Sequence, residues 1–181
     1  LLADVDADLS ALLDAIDEAG VADHALIVVV GTHGLPTDRD GLLFDELVRV
    51  PLVMRGAKLS RKVPVVTAQV RLMDVAATVL EYLRLDPLGQ SEGVSLTGYA
   101  DGSRRVTMWC ALVAVDASGQ VHFGMRNNGL KYIERSELEA ELYDVNEDPA
   151  ELNDLAVEQA ATRHKAAALL TSERAALNAL L

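Results

Sequence analysis

The residues with most chemistry in this 181-residue chain follow an unbroken apolar run. In VVVGTHGLPTDRD the run closes at Gly31 and leaves Thr32, His33, Asp38, Arg39 and Asp40 in one polar stretch. An imidazole between Thr32 and Gly34 offers a nitrogen ligand or a proton carrier near neutral pH. The acids that follow, with Asp45 and Glu46 beyond them, are the hard oxygen ligands that divalent cations take. One histidine does not make a metal centre, which needs several ligands in fixed geometry. His33 therefore reads either as one ligand of a metal site or as a hydrogen-bonded turn residue.

The other candidates are weaker. Asp4, Asp6 and Asp8 imitate the opening of a calcium loop, but Leu9 and Ala15 stand where that loop needs its glycine and its closing glutamate. Acids there suit the positive end of a helix dipole. His24, His122 and His164 read as surface residues. Ser10, Ser60, Ser91 and Ser95 lack a G-x-S-x-G context, and no P-loop or G-x-G-x-x-G fingerprint occurs. Cys110, the single cysteine, lies in the apolar run VTMWCALVAV and is expected in the core; alone it permits no internal disulfide.

The elements that must position these residues follow from periodicity. Leu9, Leu12, Leu13 and Ile16 at helical spacing, with Asp14, Asp17 and Glu18 opposite, predict an amphipathic helix ending near Gly20. ALIVVV, residues 25–30, is apolar and β-branched throughout, the pattern of a strand buried on both faces in a parallel α/β sheet. PLVM, residues 51–54, predicts a second strand, and Leu72, Val75, Ala76, Val79 and Leu83 a second helix. LDPLGQSEGVSL is a loop by its Pro and Gly content.

After Gly102 the pattern changes. RRVTMWCALVAVD and QVHFGMRNN flank ASG and predict a hairpin, and LKYIER and ELYDV add two short strands. DPAE, residues 148–151, has the look of a helix start: Asp as cap, Pro first, Glu three residues after the cap. The Ala- and Leu-rich stretch from Val157 to Leu181 favours a long terminal helix. Residues 1–100 thus read as α/β, and 101–181 as a small antiparallel sheet with a terminal helix.

Composition bounds the function. Half the chain is hydrophobic, enough for a core; the net charge is −12 and the pI about 4.6. Such a chain has no electrostatic footprint for nucleic acid and repels an anionic membrane surface. No run approaches the ~18 apolar residues of a spanning helix. An opening LLADVDADLS without Met, at the start of a helix, suggests a fragment or a processed chain.

Five segments, in order, resemble the C-terminal half of the sulfatase family of the alkaline phosphatase superfamily. DVDADLSALLDAIDEAGVADHALIVVVGTHG is similar to the family's helix and its strand ending in Asp-His-Gly or Asp-Asn-Gly. FDELVRVPLVMRG resembles Y-E-x-x-x-R-V-P-L-I-x-R-G, and VVTAQVRLMDVAATVLEYLRL resembles V-S-x-x-D-L-x-P-T-L-L-x-L-A-G. EGVSL resembles G-x-S-L. GLKYIERSELEAELYDVNEDPAELNDLA resembles Y-K-Y-I, E-L-Y-D-L and D-P-x-E-x-x-N-L-A in succession.

The resemblance implies the C-terminal portion of an α/β sandwich, sulfuric ester hydrolysis on a small molecule or glycan, and a divalent metal, normally calcium. It makes His33 the expected metal ligand. It also exposes departures. Thr32 stands where the family has its metal-binding Asp, and Leu35 where an acid usually follows the Gly. The family's sulfate-contacting Lys has no counterpart in TDRDGLL, whose only cation is Arg39. The formylglycine motif Cys-X-Pro-X-Arg is absent from the chain, so no catalytic nucleophile is assigned.

Three readings follow. The chain is part of a sulfatase-fold hydrolase, completed by an N-terminal half or by another chain. Or it is a degenerate, non-catalytic binding or structural module. Or it serves phosphoester or phosphonate hydrolysis with changed ligands. An α/β piece on its own should also leave an apolar strand edge that demands a partner.

Overall fold

A computed structural model describes residues 2–34, 43–59, 64–89, 91–101, 109–127, 129–134 and 140–178. Asp38, Arg39, Asp40 and Ser60 lie outside the described residues. In chain order the elements are α1 (Leu2–Glu18), β1 (Leu26–Val30), α2 (Asp45–Val48), β2 (Leu52–Gly56), α3 (Leu72–Leu83), α4 (Thr97–Ala100), β3 (Cys110–Val115), β4 (Val121–Asn127), β5 (Leu130–Glu134), β6 (Glu141–Asp144) and α5 (Ala160–Asn178). They gather into two compact units, Leu1–Val30 with Pro51–Arg105, and Gly31–Val50 with Val106–Leu181.

In the first unit β1 pairs with β2 antiparallel, Val28 opposite Met54 and Val29 opposite Val53. The antiparallel pairing corrects the expectation of a parallel-type strand. Val29 and Val30 are 37% and 38% exposed, and Val53 is 62% exposed. An apolar, β-branched run states how much surface needs cover, not which strand supplies it. The predicted helices form as α1 and α3. The Tyr82 hydroxyl of α3 donates to the Ala25 carbonyl at 3.2 Å and ties α3 to the start of β1.

The loop after α3 is held from within. Asp74, in the first turn of α3, accepts from the Arg71 backbone N–H at 2.8 Å and from Val94 N–H at 2.9 Å. Thr78, one turn on and fully buried, accepts from Leu96 N–H at 2.9 Å and donates to the Asp74 carbonyl at 2.6 Å. A Cβ on Gly93 would come within 2.5 Å of the Met73 carbonyl oxygen, so this close approach demands glycine. VRLMDVAAT and GVSL are thus the two sides of one clasp.

In the second unit β3, β4, β5 and β6 form an antiparallel meander in that order. Strand alternation divides its side chains. Met125, Tyr132 and Leu142 meet Ala166 and Leu170 of α5, while Ile133, Tyr143 and Val145 meet Leu43 and Phe44 on the other face. The hairpin, both later strands and the terminal helix match expectation. Cys110 opens β3 and is half-buried, not sealed in the core.

The DPAE segment departs from expectation. α5 begins at Ala160, and residues 148–151 form a turn. Asp148 does accept backbone N–H groups, from Leu152 and Asn153 at 2.8 Å each. No helix follows, because Glu151 takes a left-handed φ of 52° and turns its side chain inward, where it is buried.

Candidate functional site

His33 lies in a bend three residues past β1, exposed like its neighbour Thr32. Its Nδ1 is 2.8 Å from the Gly34 carbonyl oxygen. A carbonyl only accepts, so Nδ1 carries the proton in this contact and the lone pair of a neutral ring sits on Nε2.

The turn is seated on α2. Gly34 N–H donates to the Leu47 carbonyl at 2.8 Å. A Cβ on Gly34 would land on the Glu46 carbonyl oxygen, so only glycine admits this approach.

Around this turn the described residues assemble no metal site. Among the described residues no three His, Cys, Asp or Glu side chains gather where an ion could be held. A calcium ion wants about six to eight oxygens, and Thr32 with His33 supplies a neutral hydroxyl and a nitrogen. These residues alone do not fit the metal that the resemblance implies. The remaining histidines are placed elsewhere. His24 is exposed in a single 3-10 turn, His122 Nε2 meets Asp116 Oδ2 at 3.0 Å in the β3–β4 hairpin, and His164 lies beside Arg163 on α5. Ser91 and Ser95 serve loop geometry, accepting from Gly93 N–H and Thr97 N–H.

Sequence reasoning missed a cluster of charges that the fold buries beneath α2. Lys131 of β5 is 0% exposed. Its Nζ lies 2.5 Å from Asp45 Oδ1 and 2.8 Å from Glu151 Oε1, and it donates to the Leu43 carbonyl at 2.8 Å. Glu151 Oε2 accepts from the Asp45 backbone N–H at 2.6 Å. Arg126, opposite Lys131 in the β4–β5 register, donates from Nη1 to Asp45 Oδ1. Burial pushes the Asp45 carboxyl up; Lys131 and Arg126 outweigh that and hold it below the ordinary carboxylate range. The four charges sum to zero, which is what makes their burial tolerable. The available signal was the interruption of apolar alternation by Lys131 between Leu130 and Tyr132.

Residues 31–175 match the family of N-sulphoglucosamine sulphohydrolase, C-terminal. The chain belongs to this family. The sulfatase C-terminal region is also what its relatives share. The chain is 25% identical over 166 residues to an N-acetylglucosamine-6-O-sulfatase of Bacteroides thetaiotaomicron, covering 83% of the chain and 30% of that protein. It is 24% identical over 136 residues to an ulvan-active sulfatase of Formosa agariphila, covering 73% of the chain and 22% of that protein. The crystal structure of a phosphonate monoester hydrolase of Agrobacterium radiobacter superposes with a TM-score of 0.76 at 25% identity, over 97% of the chain and 40% of that structure. The chain therefore spans less than a third of the length of these two curated relatives, and the fold is the C-terminal portion of an alkaline-phosphatase-like α/β architecture.

The segments that carry the sulfatase resemblance are the ones that the tertiary structure brings together. Asp45 comes from FDELVRVP, Lys131 from GLKYI and Glu151 from DPAE, and they form one buried network. Asp74 and Thr78 from LMDVAAT hold the backbone of GVSL. These motif residues build and brace the fold, whereas His33 is exposed.

Proposed function

We propose that this chain is the C-terminal part of a sulfatase-family hydrolase acting on sulfate esters of glycans, with His33 its retained contribution to a metal site that is incomplete or degenerate in this chain. The observation that carries the reading is the His33 turn itself. Its proton sits on Nδ1, and it rests on an α2 anchored by the family's own motif residues. The substrate class follows from the curated relatives, whose names specify sulfated N-acetylglucosamine and ulvan.

The nucleophile and the remaining acids would come from an N-terminal half of the same fold or from a partner chain. The exposed apolar surface at Val29, Val30 and Val53 is the kind that such a half would cover. Within the reaction, this chain's residues hold the His33 imidazole in one tautomer and fix its turn. A divalent metal, when present, would supply Lewis acidity toward the sulfonyl oxygens.

A second reading rests on Thr32. Replacing a carboxylate ligand by a neutral hydroxyl removes one charge from a hard-cation site, and ligand charge count sets such affinities. A non-catalytic binding or structural module follows from that loss. One experiment separates the two. The longest natural form of the protein is assayed for sulfate release from 6-O-sulfated N-acetylglucosamine and from ulvan, with calcium present and absent. Release abolished by His33→Ala supports the hydrolase; no release on any sulfate ester leaves the module.

A further inference from the structure

We infer that Lys131 is a positioning residue for the His33 turn, acting through Asp45 and α2; this rests on the reading that His33 serves the family's site. α2 has four residues, Asp45–Val48. One helical turn has no stability of its own, because nucleation fixes several residues for a single hydrogen bond. Its place must come from outside contacts: Phe44 and Val48 pack with Ile133, Tyr143 and Val145, and the polar contacts converge on its first residue, Asp45. The Asp45 carboxylate is gripped by Lys131 and Arg126, and its backbone N–H by Glu151. The preceding carbonyl, Leu43, is gripped by Lys131 as well. An ammonium has three donors, and here three oxygens surround it: Asp45 Oδ1, Glu151 Oε1 and the Leu43 carbonyl.

The far side of α2 carries the turn. Leu47 N–H donates to the Phe44 carbonyl at 2.9 Å, and the Leu47 carbonyl accepts from Gly34 N–H at 2.8 Å. Gly34 also touches the Glu46 carbonyl so closely that no side chain fits. One helical turn therefore lies between the buried ammonium and the residue next to His33. Buried ion pairs are poor sources of net stability against apolar groups of the same shape. What an apolar residue at 131 could not do is fix the direction of a one-turn helix through two hydrogen-bonded groups of its N-terminal end.

The test uses the full chain, isotope-labelled, with no metal or substrate. Lys131→Met should shift the His33 ring and Gly34 amide resonances and speed Gly34 amide exchange by about tenfold or more relative to the wild type. The His122 ring, in the same unit but bonded to Asp116, should stay in place. A folded Lys131→Met chain with His33 and Gly34 unmoved overturns the inference, as does an equal shift of His33 and His122. The wild-type chain gives a second measurement that needs no variant. Gly34 and Asp45 amides should exchange through one opening, with the same denaturant dependence; Gly34 exchanging through a separate, smaller opening sinks the relay. Neither readout depends on sulfatase activity, so failure here is distinct from failure of the assay on sulfate esters.

Discussion

Lys131 Nζ lies 2.8 Å from Glu151 Oε1, and neither side chain is exposed at all. Removing the ammonium strands the Glu151 carboxylate in the interior and leaves Asp45 with Arg126 alone. Lys131→Met is expected to cost about 3–5 kcal/mol, the usual penalty for an orphaned buried charge. Arg55→Ala breaks an exposed pair with Asp17, both half in solvent, and should cost no more than about 1 kcal/mol. Urea unfolding of both variants checks the contrast; equal losses would mean that the buried network is not what anchors the second unit.

The same network predicts an acid limit. Asp45 is raised by burial and lowered more by Lys131 and Arg126, and ends below its ordinary 3.8. A carboxyl with a depressed folded-state pKa adds stability above its unfolded value and loses it as pH falls through the folded one. The urea midpoint should be level from about pH 7 to 5 and fall below about pH 4. Asp45→Asn should flatten part of that fall. An unchanged acid limb in the variant would place the sensitivity in other carboxylates.

Thr78→Val tests the clasp of the first unit. It keeps the shape and removes the oxygen that accepts from Leu96 N–H. A buried donor left without a partner costs about 1–3 kcal/mol. Faster amide exchange at Val94 and Leu96 should accompany the loss; full protection there would mean that the loop is held by other contacts.

His33→Ala should leave stability within about 0.5 kcal/mol, because the ring is exposed. Its effect belongs to binding. Calorimetric titration with calcium on the longest natural form is expected to show binding that the variant loses. Heat that survives the substitution would remove His33 from the site.

Val29 faces Val53 across β1 and β2, and both are exposed. The chain on its own should therefore self-associate or bind a complementary half. Val53→Lys should reduce association in gel filtration, since charge on an open strand blocks pairing. A wild-type chain running as a compact monomer would refute the need for cover.

Local signals carried much of the fold. Helical spacing gave α1 and α3, and the turn between two β-rich runs gave the β3–β4 hairpin, because hydrophobic period is set by neighbours in sequence. The same locality explains two errors. DPAE has the residues of a helix start, yet Glu151 goes to Lys131, a partner twenty residues back that no window of local propensity contains. ALIVVV has the residues of a parallel-type strand, yet its pairing with β2 is antiparallel.

By itself the sequence determined the longer helices, the strands, the acidic balance and the position of His33 after an apolar strand. It also carried the motif order of the sulfatase C-terminal region. Tertiary structure alone decided that Gly31–Val50 joins the second unit and that Asp45, Lys131 and Glu151 share one buried site. It alone decided that the His33 turn stands on α2. The physical reason is range. Periodicity and propensity act over a few residues, whereas a charge enters the interior only where opposite charges from distant segments meet it, and that meeting exists only in the folded chain.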